Sequence, residues 1–237
     1  MEKNTIKKNF SRYAGRYDGF SGIQDRCAEY LIEKVDGVHF NSILDIGCGT
    51  GNYTRHLRKK FPLADIKALD ISSEMIRVAR KKLEGKDIEF ITGDAEELNL
   101  AGGFDLVSSN ATFHWFTNLD ATFLRYKDIL NKNGEIIFTI FGPGTFCELN
   151  YAVREYFGGG ESIYSCRFIE GDSVKKILSR HFKDINVERR ILKEDNSSLS
   201  GLLEKIRYTG TRGNGTNGKG IWTKRTIDKL QKIYKDK

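Results

Sequence analysis

The most informative stretch for predicting the fold is Asp45-Ile46-Gly47-Cys48-Gly49-Thr50-Gly51. It follows an apolar run at 42–47 and precedes a helical pattern at 51–60, so it is expected to form the turn between a strand and a helix. Its three glycines allow a tight turn and a close approach of the backbone to a ligand. The spacing differs from the GxGxxG of dinucleotide sites, and Asp45 would repel a pyrophosphate but not a cationic ligand. The stretch therefore predicts either a site for a cationic ligand or an ordinary strand–helix turn.

Strand-like and helical patterns alternate on the carboxyl side of this turn. Further apolar runs occur at 66–71, 88–93, 104–110 and 135–141, the last after a turn at 131–134, and helical patterns start at Ser72 or Ser73 and at Leu119. Such alternation is typical of βαβ units and predicts an α/β fold with a doubly wound, mostly parallel sheet and helices on both faces. The other predicted elements are two helices at 3–35, helical pieces at 145–181, a late strand at 185–192, a helix at 199–208, a glycine-rich loop at 210–220 and a helix at 223–234.

Polar residues stand at the ends of the next three predicted strands. Asp70 ends the second strand, Asp94-Ala95 follows the third, and Ser109-Asn110 ends the fourth. A carboxylate in the position of Asp70 can accept both hydroxyls of a ribose. Each residue alone is also explained as a helix cap or a turn, but together with the glycine turn they fall on one rim of one sheet. The sequence therefore predicts a ligand site at this rim.

This arrangement resembles the class I S-adenosylmethionine-dependent methyltransferases. DIGCGTG at 45–51 is similar to their glycine motif, Asp70 to their ribose-binding acid, and Asp94-Ala95 to the pair at the edge of their adenine. The resemblance implies S-adenosylmethionine as the cofactor and a Rossmann-like sheet of order 3-2-1-4-5-7-6, with strand 7 antiparallel. The cofactor-binding residues that it implies are Asp45, Gly47, Cys48, Gly49, Gly51, Asp70, Ile71, Met75, Asp94, Ala95 and Asn110.

The rest of the chain resembles the malonyl-acyl carrier protein O-methyltransferases of biotin synthesis. The segments that carry this resemblance are Phe10…Tyr13-Ala14…Tyr17-Asp18…Gln24, Ser109-Asn110…His114-Trp115, Gly144-Thr145…Glu148-Leu149, Leu203…Ile206…Gly210 and Trp222…Arg225. The family usually has Gln where this sequence has His114. It also continues into strand 7 after its final helix, whereas this sequence stops at Lys237. Either the sequence is cut short there or the region at 185–192 serves differently, so a complete seven-stranded sheet is not expected. The implied reaction is methyl transfer to the free carboxylate of a malonyl thioester, carried by acyl carrier protein or as malonyl-CoA.

The implied chemistry needs positioning rather than proton transfer. A carboxylate with a reference pKa of ~4 is already ionised near neutrality, so no general base is expected. Tyr17, Asn110 and His114 are the predicted catalytic residues in this positioning sense. A substrate carboxylate needs an arginine or several hydroxyls, so its predicted partners are Arg154 and Arg167 or the polar side chains of Tyr13, Tyr17, Asn110 and His114. A purely surface role for Arg167 stays open.

The positive charge of the chain is concentrated at its carboxyl end. The net charge is +7, and residues 201–237 alone account for a charge of +7. Such a basic end attracts nucleic acid, a membrane surface or an acidic protein, or it is only a solvated helix face. Because acyl carrier proteins are acidic, the predicted carrier-docking residues are Arg212, Lys219, Lys224 and Arg225. A nucleic-acid methyltransferase is disfavoured, since no aromatic stacking platform is interleaved with this charge.

Composition disfavours several other classes. No apolar run approaches the ~20 residues that span a bilayer, and MEKNTIKKNF at the start lacks the apolar segment of a secretory signal. The scattered cysteines at 27, 48, 147 and 166 predict no metal site and a reducing, cytoplasmic setting. We expect one domain over 1–237, with a helical lid at 1–40, a cofactor-binding core at 41–141, and substrate-side helices, a late strand and a basic helix at 142–237. A monomer is favoured; the alternatives are a methyltransferase of a small acid or quinone and a non-catalytic cofactor-binding scaffold.

Overall fold

A parallel sheet forms the centre of the computed structural model, which describes residues 2–36, 40–196, 198–210 and 223–235. The strand order is β3-β2-β1-β4-β5, and every neighbouring pair is parallel. The strands are β1 Ser42–Ile46, β2 Asp65–Asp70, β3 Ile88–Thr92, β4 Phe104–Asn110 and β5 Leu130–Thr139. The parallel α/β sheet predicted from the sequence is confirmed, and its order agrees with the first five positions of the class I order.

Helices flank the sheet and extend beyond β5. In chain order they are α1 Lys3–Tyr13, α2 Gly22–Lys34, α3 Asn52–Lys60, α4 Ser73–Lys82, α5 Leu119–Ile129, α6 Cys147–Tyr156, α7 Gly171–Leu178, α8 Leu199–Tyr208 and α9 Lys224–Lys235. Short 3-10 helices occupy Ala14–Gly19, Phe113–Trp115 and Tyr164–Arg167. In the part of the chain that the structure describes, no helix combines the length and the apolar character needed to cross a membrane.

Side chains that alternate along β1 build an apolar core on each face of the sheet. Ile43 packs on one face with Leu57 of α3 and the apolar side of α2. Leu44 packs on the other face with Phe123 of α5 and Val174 of α7. Ile43, Leu44, Leu57 and Phe123 are fully buried. Because both faces are covered, the ends of the strands are where a ligand site is expected.

Helices α6, α8 and α9 form a third apolar cluster. Leu149 and Val153 of α6 pack with Leu199 and Leu202 of α8 and with Leu230 of α9. These side chains are all buried. Of the helical pieces that the sequence predicts at 145–181, α6 belongs to this cluster, whereas α7 packs on the sheet.

The strand predicted at 185–192 is wrong. The segment has no strand pairing, and Val187 and Ile191 in it are exposed. In the class I order this segment would be strand 6, whose partner is strand 7. Within the described residues no strand lies beyond β5, so the segment has no neighbour with which to form a ladder.

Strand β5 begins earlier than the sequence predicts. Leu130 pairs with Phe104, and pairing resumes at Glu135 with Leu106, so the predicted turn at 131–134 is an irregularity inside the strand. The predicted loop at 210–220 lies, from 211 onward, outside the described residues.

Candidate active site

The turn after β1 contains glycines with two different roles. Gly47 has a φ of 71°, and a Cβ there would lie 2.2 Å from Oγ1 of Thr112. Gly51 has a φ of 85°, and a Cβ there would lie 2.9 Å from Leu83, next to α4. Gly47 therefore allows the turn to pack closely on the loop after β4, whereas Gly51 allows the start of α3 to pack against the end of α4.

Asp70, the last residue of β2, is fixed by the two loops beside it. Its Oδ2 accepts a hydrogen bond from the amide of Gly49 at 3.0 Å, and its Oδ1 accepts one from the amide of Ser72 at 2.8 Å. Burial raises the pKa of Asp70 to about 6, although both amide bonds favour the charged form. Each carboxylate oxygen has a second lone pair, so Asp70 is oriented and can still accept hydroxyl groups of a ligand.

Asp45 lies beneath the glycine turn. Its Oδ2 accepts a hydrogen bond from Thr54 Oγ1 at 2.6 Å, which ties β1 to the first turn of α3. Its Oδ1 is buried and has no hydrogen-bond partner among the described residues. Burial raises the pKa of Asp45 to about 7; the Thr54 bond opposes this shift and the charge of Asp70 adds to it. A buried carboxylate oxygen without a partner suits a cationic ligand nearby.

The loop after β3 is held by hydrogen bonds and is covered by α1. Oδ1 of Asp94 accepts a hydrogen bond from the amide of Glu96 at 2.9 Å, and the carbonyl of Ala95 accepts one from the hydroxyl of Tyr126 at 3.0 Å. Nζ of Lys3 lies 2.6 Å from Oδ2 of Asp94 and 3.2 Å from Oε2 of Glu96. Helix α1 therefore reaches the loop that the sequence predicts at the adenine edge.

A cavity of about 830 Å³, including the solvent at its mouth, lies at the carboxyl ends of the strands. The predicted site residues that line it are Tyr17, Gly47, Gly49, Asp70, Ile71, Met75, Asp94, Ala95, Asn110 and His114. Asp45, Cys48 and Gly51 do not line it; they lie in or beneath the turn that forms its floor. The structure thus brings most of the predicted catalytic and cofactor-binding residues to one cavity.

His114 belongs to an aromatic wall of this cavity. Its ring centroid lies 4.9 Å from that of Trp115, 5.1 Å from that of Phe141 and 4.6 Å from that of Phe168. The side chain is 8% exposed, and its Nδ1 has no hydrogen-bond partner among the described residues. Burial lowers the pKa of His114 to about 3, so the ring is neutral at physiological pH. The wall therefore offers a ligand a neutral polar group in apolar surroundings.

Tyr17 and Asn110 both line the cavity, but they differ in how far their polar groups are already used in hydrogen bonds. Nδ2 of Asn110 donates to the carbonyl of Gln24 at 2.9 Å, and its Oδ1 accepts a hydrogen bond from Thr139 Oγ1 at 2.7 Å. Both ends of this amide therefore hold the surrounding elements together. Burial raises the pKa of Tyr17, and the charge of Asp25 adds to this shift, so the tyrosine keeps its hydroxyl proton. Tyr17 is thus suited to contact a ligand, and Asn110 to brace the wall.

Of the predicted substrate-binding and carrier-docking residues, the four that the structure describes do not line the cavity. Arg154 is exposed on α6, and Arg167 is exposed beside the aromatic wall, with its guanidinium carbon 5.9 Å from the ring centroid of Tyr164. Lys224 and Arg225 are exposed at the start of α9. Arg212 and Lys219 lie outside the described residues. The roles assigned to these residues stay predictions.

The cavity also has walls that the sequence reasoning missed. Lys3, Thr112, Phe141 and Thr209 line it and come from four separate segments. For Lys3 a signal was present, because Lys3, Ile6 and Phe10 follow the spacing of one helix face and all three line the cavity. For Thr209, at the end of α8, no local pattern indicates that the chain returns to this cavity.

Comparison with known proteins agrees with this geometry. The family model described as a methyltransferase domain matches residues 43–134. Malonyl-[acyl-carrier protein] O-methyltransferase 1 of Ilyobacter polytropus is 31% identical over 100% of this chain and 88% of its own length. The enzyme of the same name from Priestia megaterium is 42% identical over 63% of this chain, an alignment that spans 56% of that relative. A putative methyltransferase solved in complex with the Haloferax volcanii Trm112 activator has a TM-score of 0.61 at 18% identity, covering 85% of this chain and 93% of that one, which shows a shared fold.

The sheet is parallel and has its cavity at the glycine turn, and the same region matches a methyltransferase domain. These features place the chain among the S-adenosylmethionine-dependent class I methyltransferases. The relatives that align over the whole chain belong to a more specific family within this class. By that similarity the chain belongs to the malonyl-[acyl-carrier protein] O-methyltransferase family.

The residues at the strand ends fit S-adenosylmethionine. Asp70 would hold the ribose hydroxyls, and the loop at Asp94 and Ala95 would border the adenine. Gly47 and Gly49 leave room for the methionine end, and the buried carboxylate of Asp45 beneath them suits its positive charge. The polar groups of this site are carboxylates and backbone groups, and negatively charged carboxylates suit a sulfonium cation better than a phosphate.

Proposed function

We propose that this chain methylates the free carboxylate of a malonyl group on acyl carrier protein, an early step of biotin synthesis. Relatives that bear this name and align over nearly their whole length support the choice of acceptor. The structural observation that carries the proposal is the aromatic setting of His114, whose ring packs on Trp115, Phe141 and Phe168. Burial there lowers its pKa to about 3, which makes it a poor general base. A malonyl carboxylate is already ionised and needs no base, unlike an alcohol or phenol acceptor.

The chain contributes positioning and exclusion of water. When bound, S-adenosylmethionine supplies an electrophilic methyl group. Tyr17 and neutral His114 can donate hydrogen bonds that orient the acceptor carboxylate without removing its charge. The aromatic wall of Trp115 and Phe141 keeps water from that carboxylate, which lowers the cost of losing its charge. Holding the acceptor in line can be worth up to ~7–11 kcal/mol, so no further chemical group is needed.

The carrier protein docks on basic surface in this proposal. The exposed cations of α9 are Lys224, Arg225, Lys229, Lys232 and Lys235, and the opposite side of α9 packs on α6 and α8. An acidic carrier would be attracted to this side, and Arg212 and Lys219 are proposed to extend it. Arg154 and Arg167 are proposed to meet the acyl end of the carrier. The four free thiols of the chain suit the reducing cytoplasm as its setting.

The deciding experiment is methyl transfer from labelled S-adenosylmethionine to malonyl-carrier protein, malonyl-CoA and tRNA, measured in parallel with the full chain. We expect transfer to malonyl-carrier protein with the highest kcat/KM and no transfer to tRNA. Acetyl-carrier protein, which lacks the free carboxylate, is the matched control and should accept no methyl group. Transfer to tRNA alone, or equal labelling of acetyl-carrier protein, would refute the proposed acceptor.

A further inference from the structure

The amino-terminal segment at 3–19, called the lid segment here, comprises α1 and the 3-10 helix that follows it. Its inner face lines the cavity through Lys3, Ile6, Phe10 and Tyr17. Its outer face is exposed, for example at Lys8 and Arg12. The segment therefore forms a roof over the cavity, held by the apolar packing of Ile6 on Trp115 and Phe168 and by three polar contacts with the floor.

The first contact lies at the start of α1. Nζ of Lys3 is 2.6 Å from Asp94 and 3.2 Å from Glu96, both in the loop after β3. Glu96 also accepts hydrogen bonds from the amides of Thr117 and Asn118, at the start of α5. Lys3 therefore ties the lid segment to a loop that is itself anchored.

The second contact lies near the end of α1. The hydroxyl oxygens of Ser11 and Ser72 are 2.8 Å apart. Ser72 lies in the loop after β2, where its amide donates to Asp70 and its hydroxyl caps α4 by accepting from the amide of Met75. Ser11 therefore binds directly to a residue that orients the predicted ribose-binding carboxylate.

The third contact lies in the 3-10 helix. Asp18 accepts a hydrogen bond from the hydroxyl of Thr50, in the glycine turn after β1. Its Oδ2 also lies 2.6 Å from Nζ of Lys82, which donates to Thr50 at 3.1 Å. Asp18 therefore ties the lid segment to the glycine turn and to the end of α4.

The order of these contacts follows the order of the strands. Along the lid segment, Lys3, Ser11 and Asp18 meet the loops after β3, β2 and β1, and these strands are neighbours in the sheet. The lid segment thus crosses the sheet edge over the three loops that fit the cofactor. We infer that Lys3, Ser11 and Asp18 are positioning residues that hold the lid segment closed over bound cofactor and thereby set its dissociation rate.

Several weak contacts suit a roof that opens in every catalytic cycle. Ion pairs that are partly exposed, as at Lys3 and Asp18, are individually weak. These two ion pairs and the Ser11–Ser72 hydrogen bond, on three loops, hold the roof together, while breaking them one after another allows the demethylated cofactor to leave. Lid opening of this kind often limits the rate of product release.

The test is the dissociation rate of labelled S-adenosylhomocysteine, chased with unlabelled compound, from the full chain. We expect Lys3→Met, Ser11→Ala and Asp18→Asn each to raise this rate about threefold, and the triple variant to raise it about tenfold or more. Lys3→Arg keeps the charge and should stay within about twofold of the unmodified chain. Lys8→Met is the matched control, since Lys8 is exposed on the same helix, and it should have no effect.

Hydrogen exchange of the α1 amides in the complex provides the second measurement, and it should accelerate in the triple variant. A rate within about twofold of the unmodified chain in all three single variants would overturn the inference, as would an equal increase in Lys8→Met. Thermal unfolding without ligand identifies a variant that fails to fold. The dissociation rates of the remaining single variants then decide whether the inference holds. The inference concerns the cofactor and not the acceptor, so a failure of malonyl-carrier methylation leaves it standing.

Discussion

The two halves of the cavity differ in their physical character. The cofactor half, at the ends of β1, β2 and β3, holds carboxylates in a hydrogen-bonded frame, with Asp70 bound by two amides and Asp45 by Thr54. The acceptor half is aromatic and neutral, and His114 there has no partner for its Nδ1 among the described residues. The first half suits a cation, and the second suits an anion that is about to lose its charge. In the proposed site, the cofactor's charge would thus be recognised in one half and the reacting carboxylate would be held in the other.

The largest expected effect comes from a substitution in the glycine turn, which belongs to the cofactor half. In Gly47→Ala the new Cβ would lie 2.2 Å from Thr112, and we expect the free energy of unfolding to fall by ~2–4 kcal/mol. Gly49→Ala is the matched control, because its φ is also positive but nothing lies within 4 Å of its Cβ. It should lose only ~1–2 kcal/mol. Urea denaturation measures both, and equal losses would contradict the close packing of Gly47.

The next effect concerns the charge of the cofactor half. A hydrogen bond to a charged group is worth ~1.5–3 kcal/mol, so Asp70→Ala should weaken S-adenosylmethionine binding at least about tenfold. Asp70→Asn keeps the size of the side chain but has one acceptor oxygen instead of two, so it should lose the charge and one of the two amide contacts. Isothermal titration calorimetry measures both dissociation constants. An unchanged constant in Asp70→Ala would remove Asp70 from the cofactor site.

The cofactor half could be predicted from the sequence because its signals are local. The glycine turn and Asp70 stand directly at strand ends, where one motif fixes both position and chemistry. The acceptor half joins segments that are distant in the chain, such as Thr209 and Phe141, and no local pattern brings these together. The wrong strand at 185–192 has the same cause: its residues have strand-forming character, but a strand also needs a neighbour.

The third prediction moves to the acceptor half. His114→Phe fills the space with an apolar ring and removes the hydrogen-bonding group, so the apparent KM for malonyl-carrier protein should rise about fivefold. Binding of S-adenosylmethionine should change less than about twofold, since the cofactor frame is untouched. His114→Gln restores a polar group and should recover part of the loss. A matching loss of cofactor affinity would show that the two halves are not independent.

The fourth prediction concerns a surface outside both halves. Neutralising Arg212, Lys219, Lys224 and Arg225 should raise the apparent KM for malonyl-carrier protein about threefold at low salt and leave malonyl-CoA turnover nearly unchanged. The effect should shrink as added salt shortens the Debye length to ~3 Å at 1 M. Exposed Lys59 and Lys81, on α3 and α4, give a control pair. Equal losses on both substrates would assign the four residues to the fold or the cavity instead of docking.

The smallest expected effect is that of pH on the chemical step, and here the two halves should respond differently. His114 has its pKa lowered to about 3, so it stays neutral, and single-turnover transfer at saturating cofactor should vary less than about twofold between about pH 6 and pH 8. Asp70 and Asp45 have pKa values raised to about 6 and about 7. They lose their charge as the pH falls through these values, so cofactor affinity should weaken from about pH 7 downward.

The same two raised pKa values give the stability of the ligand-free chain a pH dependence opposite to that of cofactor affinity. Because the folded state holds these protons more tightly than the unfolded chain, their contribution to stability is present at about pH 4 and is lost as the pH rises through about 6 to 7. Asp45→Asn should remove the Asp45 part of this slope in thermal unfolding of the ligand-free chain. Cofactor affinity and ligand-free stability should therefore move in opposite directions over this range, while the transfer step stays flat. A steep rise of single-turnover transfer near neutrality would instead indicate a required base and an acceptor other than a carboxylate.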